Sequence, residues 1–458
     1  MYVQSARATP LWQDGMVRTS RQELRGAHSF DVAIVGGGYT GLWTAYYLQQ
    51  LAPSLKIAII EANYIGFGGS GRNGGWCSAF LPMLPSEMME QHGREAMLFA
   101  QQEMFATVDE VGEVAQRESI ECDFHKGGTI TSASNPAHVQ RLRDYVSDWQ
   151  KLGFGPDVLR WQTADDISER ISVSRTFGGV YSPHCAVINP WKLVSGLADV
   201  VERRGTEIYE NSSVINISER NVTTRAGHVT AKWVVKAVES FGSQLNSTKR
   251  SIAPLYSLMV ATEPLSAEAW KSIGWNNRET FADGRNMVTY AQRTADGRIA
   301  FGGRGAPYHF ASRIKPKFDF HRRIHAQLED TVRETFPQLN NVSFTHHWGG
   351  PVGAPRDWHA YANVDRSTGL CAGGGYVGDG VALSNLVGRT IAHQIADTQN
   401  PLTRSLLVGH HSKNWEVEPL RWIGINGLLT LTDWADRKEQ RTKRAASRTI
   451  ALRDGLLG

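Results

Sequence analysis

The chain has 458 residues, 41% hydrophobic and 21% charged, with a formal net charge of +4. That balance suits a globular protein of two or three domains and excludes a disordered or collagen-like chain. The charge is too small for this length to suggest nucleic acid, no window of about 18 uncharged apolar residues offers a membrane span, and the start of the chain lacks the apolar core of a secretory signal.

Residues 1–28 read as a polar lead-in segment. The run VAIV (32–35), bounded by Gly36, has the pattern of a buried parallel strand. Leu42, Ala45, Tyr46 and Leu48 then recur at helical spacing until Ala52-Pro53, and KIAII (56–60) reads as a second strand ending on Glu61. A glycine-rich loop, YIGFGGSGRNGGW (64–76), follows. Helical spacing over 87–120 puts Met97, Ala100, Phe105, Val108, Val111 and Val114 on one face.

Two short strands are expected around Gly127-Gly128, a helix over 136–153, strands and turns over 178–190, and a helix over 190–204. EIYENSSVINISE (207–219) and KWVVKAVES (232–240) read as strands. LYSLMVATEPL (255–265) and NMVTYAQRTADGRIAFGG (286–303) alternate like antiparallel strands, the second turning at Asp296-Gly297. A helix over 317–335 is stopped by Pro337. Strand, glycine turn and helix recur from 369, with the helix opening near Ala382. Nucleotide-type βα units separated by antiparallel runs predict an α/β (α+β) fold: a Rossmann-like domain carrying an inserted domain on a mixed, largely antiparallel sheet. The tail, 406–458, has an apolar stripe and then a basic stretch. It reads as a terminal helix covering the nucleotide domain, with a homodimer contact or membrane-surface docking as the alternatives.

Three glycine loops carry the chemistry. In the first, Gly36 makes the tight turn, Gly38 lets backbone approach a pyrophosphate, and Gly41 lets the helix pack close to the strand. Glu61 stands 20 residues beyond Gly41, where a carboxylate can bind ribose hydroxyls. The second loop combines glycines that permit positive φ with the donors Ser70, Arg72 and Asn73, which suits a cofactor larger than a nicotinamide dinucleotide. The third, Gly373 to Val381, opens a helix whose N-terminal partial charge could stabilise negative charge on a reduced flavin.

SGRNGG (70–75), PLYSLMVATEPL (254–265) and GGYVGDGVALSNLVGRTIA (374–392) resemble the D-amino-acid oxidase-type FAD-dependent oxidoreductases, the glycine and sarcosine oxidase fold, and most of all their γ-glutamylputrescine oxidoreductase branch. The resemblance spans roughly residues 30–405 and implies a noncontiguous FAD domain (29–85, 176–245 and 346–405) alternating with a substrate domain (86–175 and 246–345). It assigns Gly36, Gly38 and Gly41 to the pyrophosphate and Glu61 to the adenosine ribose. Ser70, Arg72, Asn73 and Gly74 would lie along the pyrophosphate and flavin, Val214 at the adenine, and Gly375, Tyr376, Gly378, Gly380 and Val381 at the flavin edge. One departure stands out: the small residues usual after the strand WVVKA read Val238-Glu239 here. Without a suitably placed His or Cys, the expected FAD is noncovalent.

The reaction this resemblance implies is C–N oxidation of a small amine or amino acid, with hydride passing to flavin N5 and oxygen or another acceptor reoxidising it. Arg293 resembles a carboxylate anchor. Tyr256 and Tyr290 are candidates for substrate wall or hydroxyl donor, and Trp348 for flanking the flavin. The alternatives are a flavin-dependent monooxygenase-type enzyme and a non-catalytic FAD-binding subunit. No metal is expected, because the adjacent pairs His346-His347 and His410-His411 face apart on extended chain. Cys77, Cys122, Cys185 and Cys371 have no paired spacing and read as reduced thiols in a cytoplasmic protein.

Overall fold

The computed structural model describes residues 9–18 and 20–457. Residues 1–8 of the expected lead-in therefore lie outside the described residues. The first nucleotide-type unit forms as its pattern predicts: β1 (Gly26–Val35), α1 (Tyr39–Leu51) and β2 (Ile57–Ile60). β1 pairs in parallel with β2 on one side and with the strand Gly227–Lys236 on the other. Val32, Ile34, Ile57 and Ile59 are buried, each contributing roughly 1.5–3 kcal/mol of apolar burial. The sheet continues through Glu207–Tyr209 beyond β2, and through Leu370–Gly374 and Tyr361–Val364 beyond Gly227–Lys236. The expected long strand over 207–219 is two strands, Glu207–Tyr209 and Val214–Ser218, and the second pairs only with the hairpin strand Asn221–Thr224.

A second sheet of eight strands is mixed but mainly antiparallel. From one edge it runs Phe344–Ala354, Ala253–Thr262, Ile299–Arg304 and Thr289–Arg293. Two expected segment boundaries shift accordingly. Gly179–Ser182 belongs to this sheet through Thr129–Ser132, although it was expected in the nucleotide domain. Phe344–Ala354 pairs along Ala253–Thr262, so the last return to the nucleotide sheet comes with Tyr361–Val364 rather than at 346.

Side chains alternate across the second sheet, as the strand period of two requires. Met259, Ala261, Ala300 and Trp348 point into the core shared with the nucleotide sheet. Tyr256, Leu258, Val260, Ala291 and Phe301 point the other way, into a separate core with Leu328 and Val332 of the helix Arg322–Thr335.

Both ends of the chain correct the sequence reading. The lead-in is not merely polar: Leu11 and Trp12 are buried, and Trp12 donates from Nε1 to the Asn73 carbonyl at 2.7 Å. The tail helix Leu420–Thr442 does not cover the nucleotide sheet. Buried Glu439 takes a two-pronged ion pair from Arg141 (2.7 and 2.8 Å), and Asp436 accepts from the backbone N–H groups of Asn286 and Met287. Those partners flank the second sheet. No helix among the described residues is long and apolar enough to cross a membrane.

Candidate active site

A cavity of about 380 Å³ opens where the carboxyl ends of β1 and β2 meet the other two glycine loops. Crevices at the carboxyl ends of parallel strands are where such sheets bind ligands. Gly36 sits at φ +111°, and a Cβ there would run into the Ala237 carbonyl. A Cβ on Gly41 would run into the Gly36 carbonyl, so Gly41 serves helix packing and does not itself line the cavity. Gly38 ends the turn in extended conformation, and α1 starts at the next residue with its free amides toward the cavity.

Glu61 lines the cavity and is tied into the loop. Its Oε2 accepts from Gly37 N–H at 2.8 Å and its Oε1 from Asn63 N–H at 2.9 Å. Burial nonetheless pushes its carboxyl above the usual range, and the amides oppose this. Val214 and Ser213 line the cavity beyond Glu61, beside Phe67 and Phe241.

In the second loop, Ser70 Oγ accepts from Tyr39 N–H at 2.9 Å, which joins the loop to the start of α1. Asn73 holds the loop's shape by donating to the Gly69 and Ser70 carbonyls and accepting from Gly75 N–H. Ser70 and Asn73 line the cavity; Arg72 and Gly74 do not. The Arg72 guanidinium points into the second sheet, donating to Asp319 Oδ2 at 2.7 Å and to the Gly349 carbonyl at 3.0 Å. Its expected place along the pyrophosphate is thus corrected: the charge is already engaged by Asp319. Gly74 instead makes room for the Tyr290 ring.

The third loop turns through positive φ at Gly375, Val377 and Gly378 and opens the helix Gly380–Ile395. Tyr376, Gly378, Gly380 and Val381 line the cavity, and the Tyr376 hydroxyl lies 2.7 Å from Thr40 Oγ1 of α1. Gly375 stays outside it, packed on the His359 carbonyl and Pro355. Two helix N-termini therefore converge on one cavity, a positive electrostatic arrangement suited to a pyrophosphate and an electron-rich ring.

Sequence reasoning flagged Val238-Glu239 only as a departure, yet both residues line the cavity. Glu239 stands at φ +44°, and its Oε1 accepts from Gly375 and Tyr376 N–H groups, bridging two loops. Its Oε2 is buried without a hydrogen-bond partner, and burial raises the carboxyl pKa to about 7.

The candidate catalytic residues divide by strand face. Tyr290 packs on the second loop against Trp76, and its hydroxyl lies 2.8 Å from Ser257 Oγ. Trp348 is buried on that same side and donates from Nε1 to the Arg72 carbonyl at 2.9 Å. Tyr256 and Arg293 lie on the opposite face, which corrects both assignments. Tyr256 is buried in the far core, and the Arg293 guanidinium donates to the Trp275 carbonyl at 2.7 Å while stacked on Trp270. Gln292, two residues from Tyr290, was missed; it donates to the Gly74 carbonyl at 2.7 Å and to the Ile188 carbonyl at 3.2 Å.

A family model described as FAD dependent oxidoreductase matches residues 31–394. The chain belongs to that family. It is 30% identical to gamma-glutamylputrescine oxidoreductase of Escherichia coli (strain K12) over 369 residues, 79% of this chain and 82% of that protein. Its fold is similar to that of glycine oxidase from Geobacillus kaustophilus, with a TM-score of 0.66 at 21% identity, covering 84% of this chain and 99% of that one. It is likewise similar to L-amino acid deaminase from Proteus vulgaris, with a TM-score of 0.66 at 16% identity, covering 86% and 97%.

This FAD-dependent oxidoreductase has a donor set that fits its cofactor. Gly36 and Gly38 leave open space at the start of α1 that would admit a pyrophosphate, Glu61 presents a carboxylate that would meet a ribose, Val214 and Phe241 add apolar surface that would suit adenine, and Gly378, Gly380 and Val381 line the side where the ring system would lie.

Proposed function

We propose that this oxidoreductase oxidises the C–N bond of a small amine or amino acid. The supporting observation is its 30% identity, across 82% of the relative's length, to a protein whose name specifies an amine, gamma-glutamylputrescine. FAD, when bound, supplies a hydride acceptor at N5, and the imine left behind hydrolyses in water. The chain's task is to orient the amine and to favour its unprotonated form.

Tyr290 is the substrate-facing hydroxyl in this reading, aimed by Ser257. Trp348 and Gln292 fix the second loop from the same face of the sheet, by bonds to the Arg72 and Gly74 carbonyls. The amides and dipole of the helix Gly380–Ile395 favour negative charge at the ring edge. In this reading FAD is held noncovalently, in keeping with a cavity that no cysteine or histidine lines among the described residues and with Cys371 buried in a strand, its thiol pushed up to about 12. Four free, buried cysteines accord with a cytoplasmic setting.

Anaerobic mixing of the yellow holoenzyme with a panel of amines and amino acids tests the reading. Bleaching of the flavin by one class supports it and names the class, and admitting air then separates an oxidase from a dehydrogenase. A flavin that no amine bleaches, but that NADPH reduces, would replace C–N oxidation with the monooxygenase-type reading.

A further inference from the structure

Away from the cavity lining, three histidines from distant parts of the chain meet. His92 ends the helix Pro85–His92, His359 precedes the strand Tyr361–Val364, and His410 follows Gly409. Each offers one ring nitrogen, and the three nitrogens lie within 4.8 Å of one another. His359 is buried; His92 and His410 are half-buried, which leaves a path for a small ion.

The outer hydrogen bonds decide which ring atoms carry lone pairs. His359 Nδ1 lies 2.6 Å from the Ala360 carbonyl, an acceptor only, so Nδ1 carries the proton and Nε2 is bare. That Nε2 faces His92 Nε2 at 2.8 Å. His410 Nε2 lies 2.9 Å from Asp357 Oδ2, which leaves its Nδ1 bare. Asp357 is itself fixed by the Ser412 hydroxyl at 2.6 Å and by His359 N–H at 3.2 Å. Carbonyl–histidine and carboxylate–histidine contacts of this kind orient imidazoles as metal ligands.

We propose that His92, His359 and His410 form a three-nitrogen site for a divalent transition metal, zinc foremost, with Asp357 positioning His410. Three imidazoles with an open fourth position suit zinc's tetrahedral preference. At Zn–N distances of about 2.1 Å the ligand nitrogens stand about 3.4 Å apart. The His92–His359 contact therefore opens by roughly half an ångström, and the stacked rings of His359 and His410, 3.7 Å between centroids, splay apart. The site joins the end of one helix to the segment beneath the cofactor's third loop, because the His359 carbonyl packs against Gly375. Binding there is independent of the C–N chemistry.

The test uses purified holoenzyme stripped with EDTA, then loaded with Zn²⁺ or Co²⁺ and desalted. We expect one metal per chain by native mass spectrometry, the visible absorption of four-coordinate cobalt, and a higher melting temperature. His92→Ala and His359→Ala should each abolish retention while keeping their FAD content. Asp357→Asn should weaken binding about 10–100-fold. If His359→Ala loses FAD, His92→Ala, at a half-buried helix end, carries the test. No retained metal in the wild-type protein, or equal retention in His92→Ala, overturns the proposal.

Discussion

The Glu239 carboxylate holds the amide of Tyr376 from the neighbouring strand end: its Oε1 accepts from Tyr376 N–H at 3.1 Å and from Gly375 N–H at 3.0 Å. A single side chain thus ties the end of Gly227–Lys236 to the third glycine loop.

Burial raises this carboxyl from 4.5 to about 7, so the folded protein favours the neutral acid. That contribution is fully present below about pH 4.5 and is lost as the pH rises through about 7, amounting to roughly 3 kcal/mol. Glu239→Gln keeps an acceptor for both amides but does not titrate. Its melting temperature should fall less than that of the wild type over this pH window, as differential scanning fluorimetry can measure.

Glu61→Ala removes the acceptor for the Gly37 and Asn63 amides as well as the proposed ribose contact. FAD affinity should drop about 10–100-fold, since hydrogen bonds to a charged group contribute roughly 1.5–3 kcal/mol. Quenching of FAD fluorescence on titration with apoprotein reads this directly.

Gly36→Ala meets two obstacles, a φ of +111° and the Ala237 carbonyl. The backbone between β1 and α1 must shift, at a cost above about 2 kcal/mol. Purified variant should carry little flavin and show a lower urea midpoint. Wild-type flavin content would remove the tight turn from the account of binding.

Tyr290→Phe and Arg293→Gln separate the two faces of one strand. Tyr290→Phe should lower kcat/KM about 10-fold, as expected for one lost hydrogen bond of about 1.4 kcal/mol. Arg293→Gln should leave KM unchanged and cost only about 1 kcal/mol of stability, from the Trp270 stack and the Trp275 carbonyl. A large KM increase in Arg293→Gln would return that arginine to the substrate.

Arg72→Ala should destabilise by about 3 kcal/mol, because Asp319 is left without its charged partner in a partly buried position. Burial pushes the Asp319 carboxyl up and Arg72 pulls it back, so without Arg72 its titration should move upward. Unfolding titrations of Arg72→Ala and of the Arg72→Ala/Asp319→Ala double variant at two pH values check the coupling.

The cofactor loops were legible because each glycine answers a local steric demand: Gly36, Gly38 and Gly378 lie where a short motif can locate them. The substrate side was less so. Choosing between Tyr290 and Arg293 requires the phase of the strand Thr289–Arg293, and a hairpin at Asp296-Gly297 does not reveal which alternate set faces the core. Arg72 was misread because its partner, Asp319, is 247 residues away. The tail helix was assigned to the wrong sheet because Glu439 and Asp436 look like solvated charges until Arg141 and the Asn286 amide are brought to them. His410 appeared only as one of an adjacent pair, since His92 and His359 join it through the tertiary fold.

Strand order has a consequence for biosynthesis. The central strand β1 is made early, yet one of its flanks is Gly227–Lys236, and the sheet is extended by Leu370–Gly374 only near the end of the chain. The intervening residues spend two long excursions building the other sheet. A ribosome that has finished the first glycine motif has therefore made no half of the cofactor cradle that can close by itself, because the opposing helix, Gly380–Ile395, is still to come. Flavin loading reports on completion of nearly the whole polypeptide, and truncated products should emerge colourless.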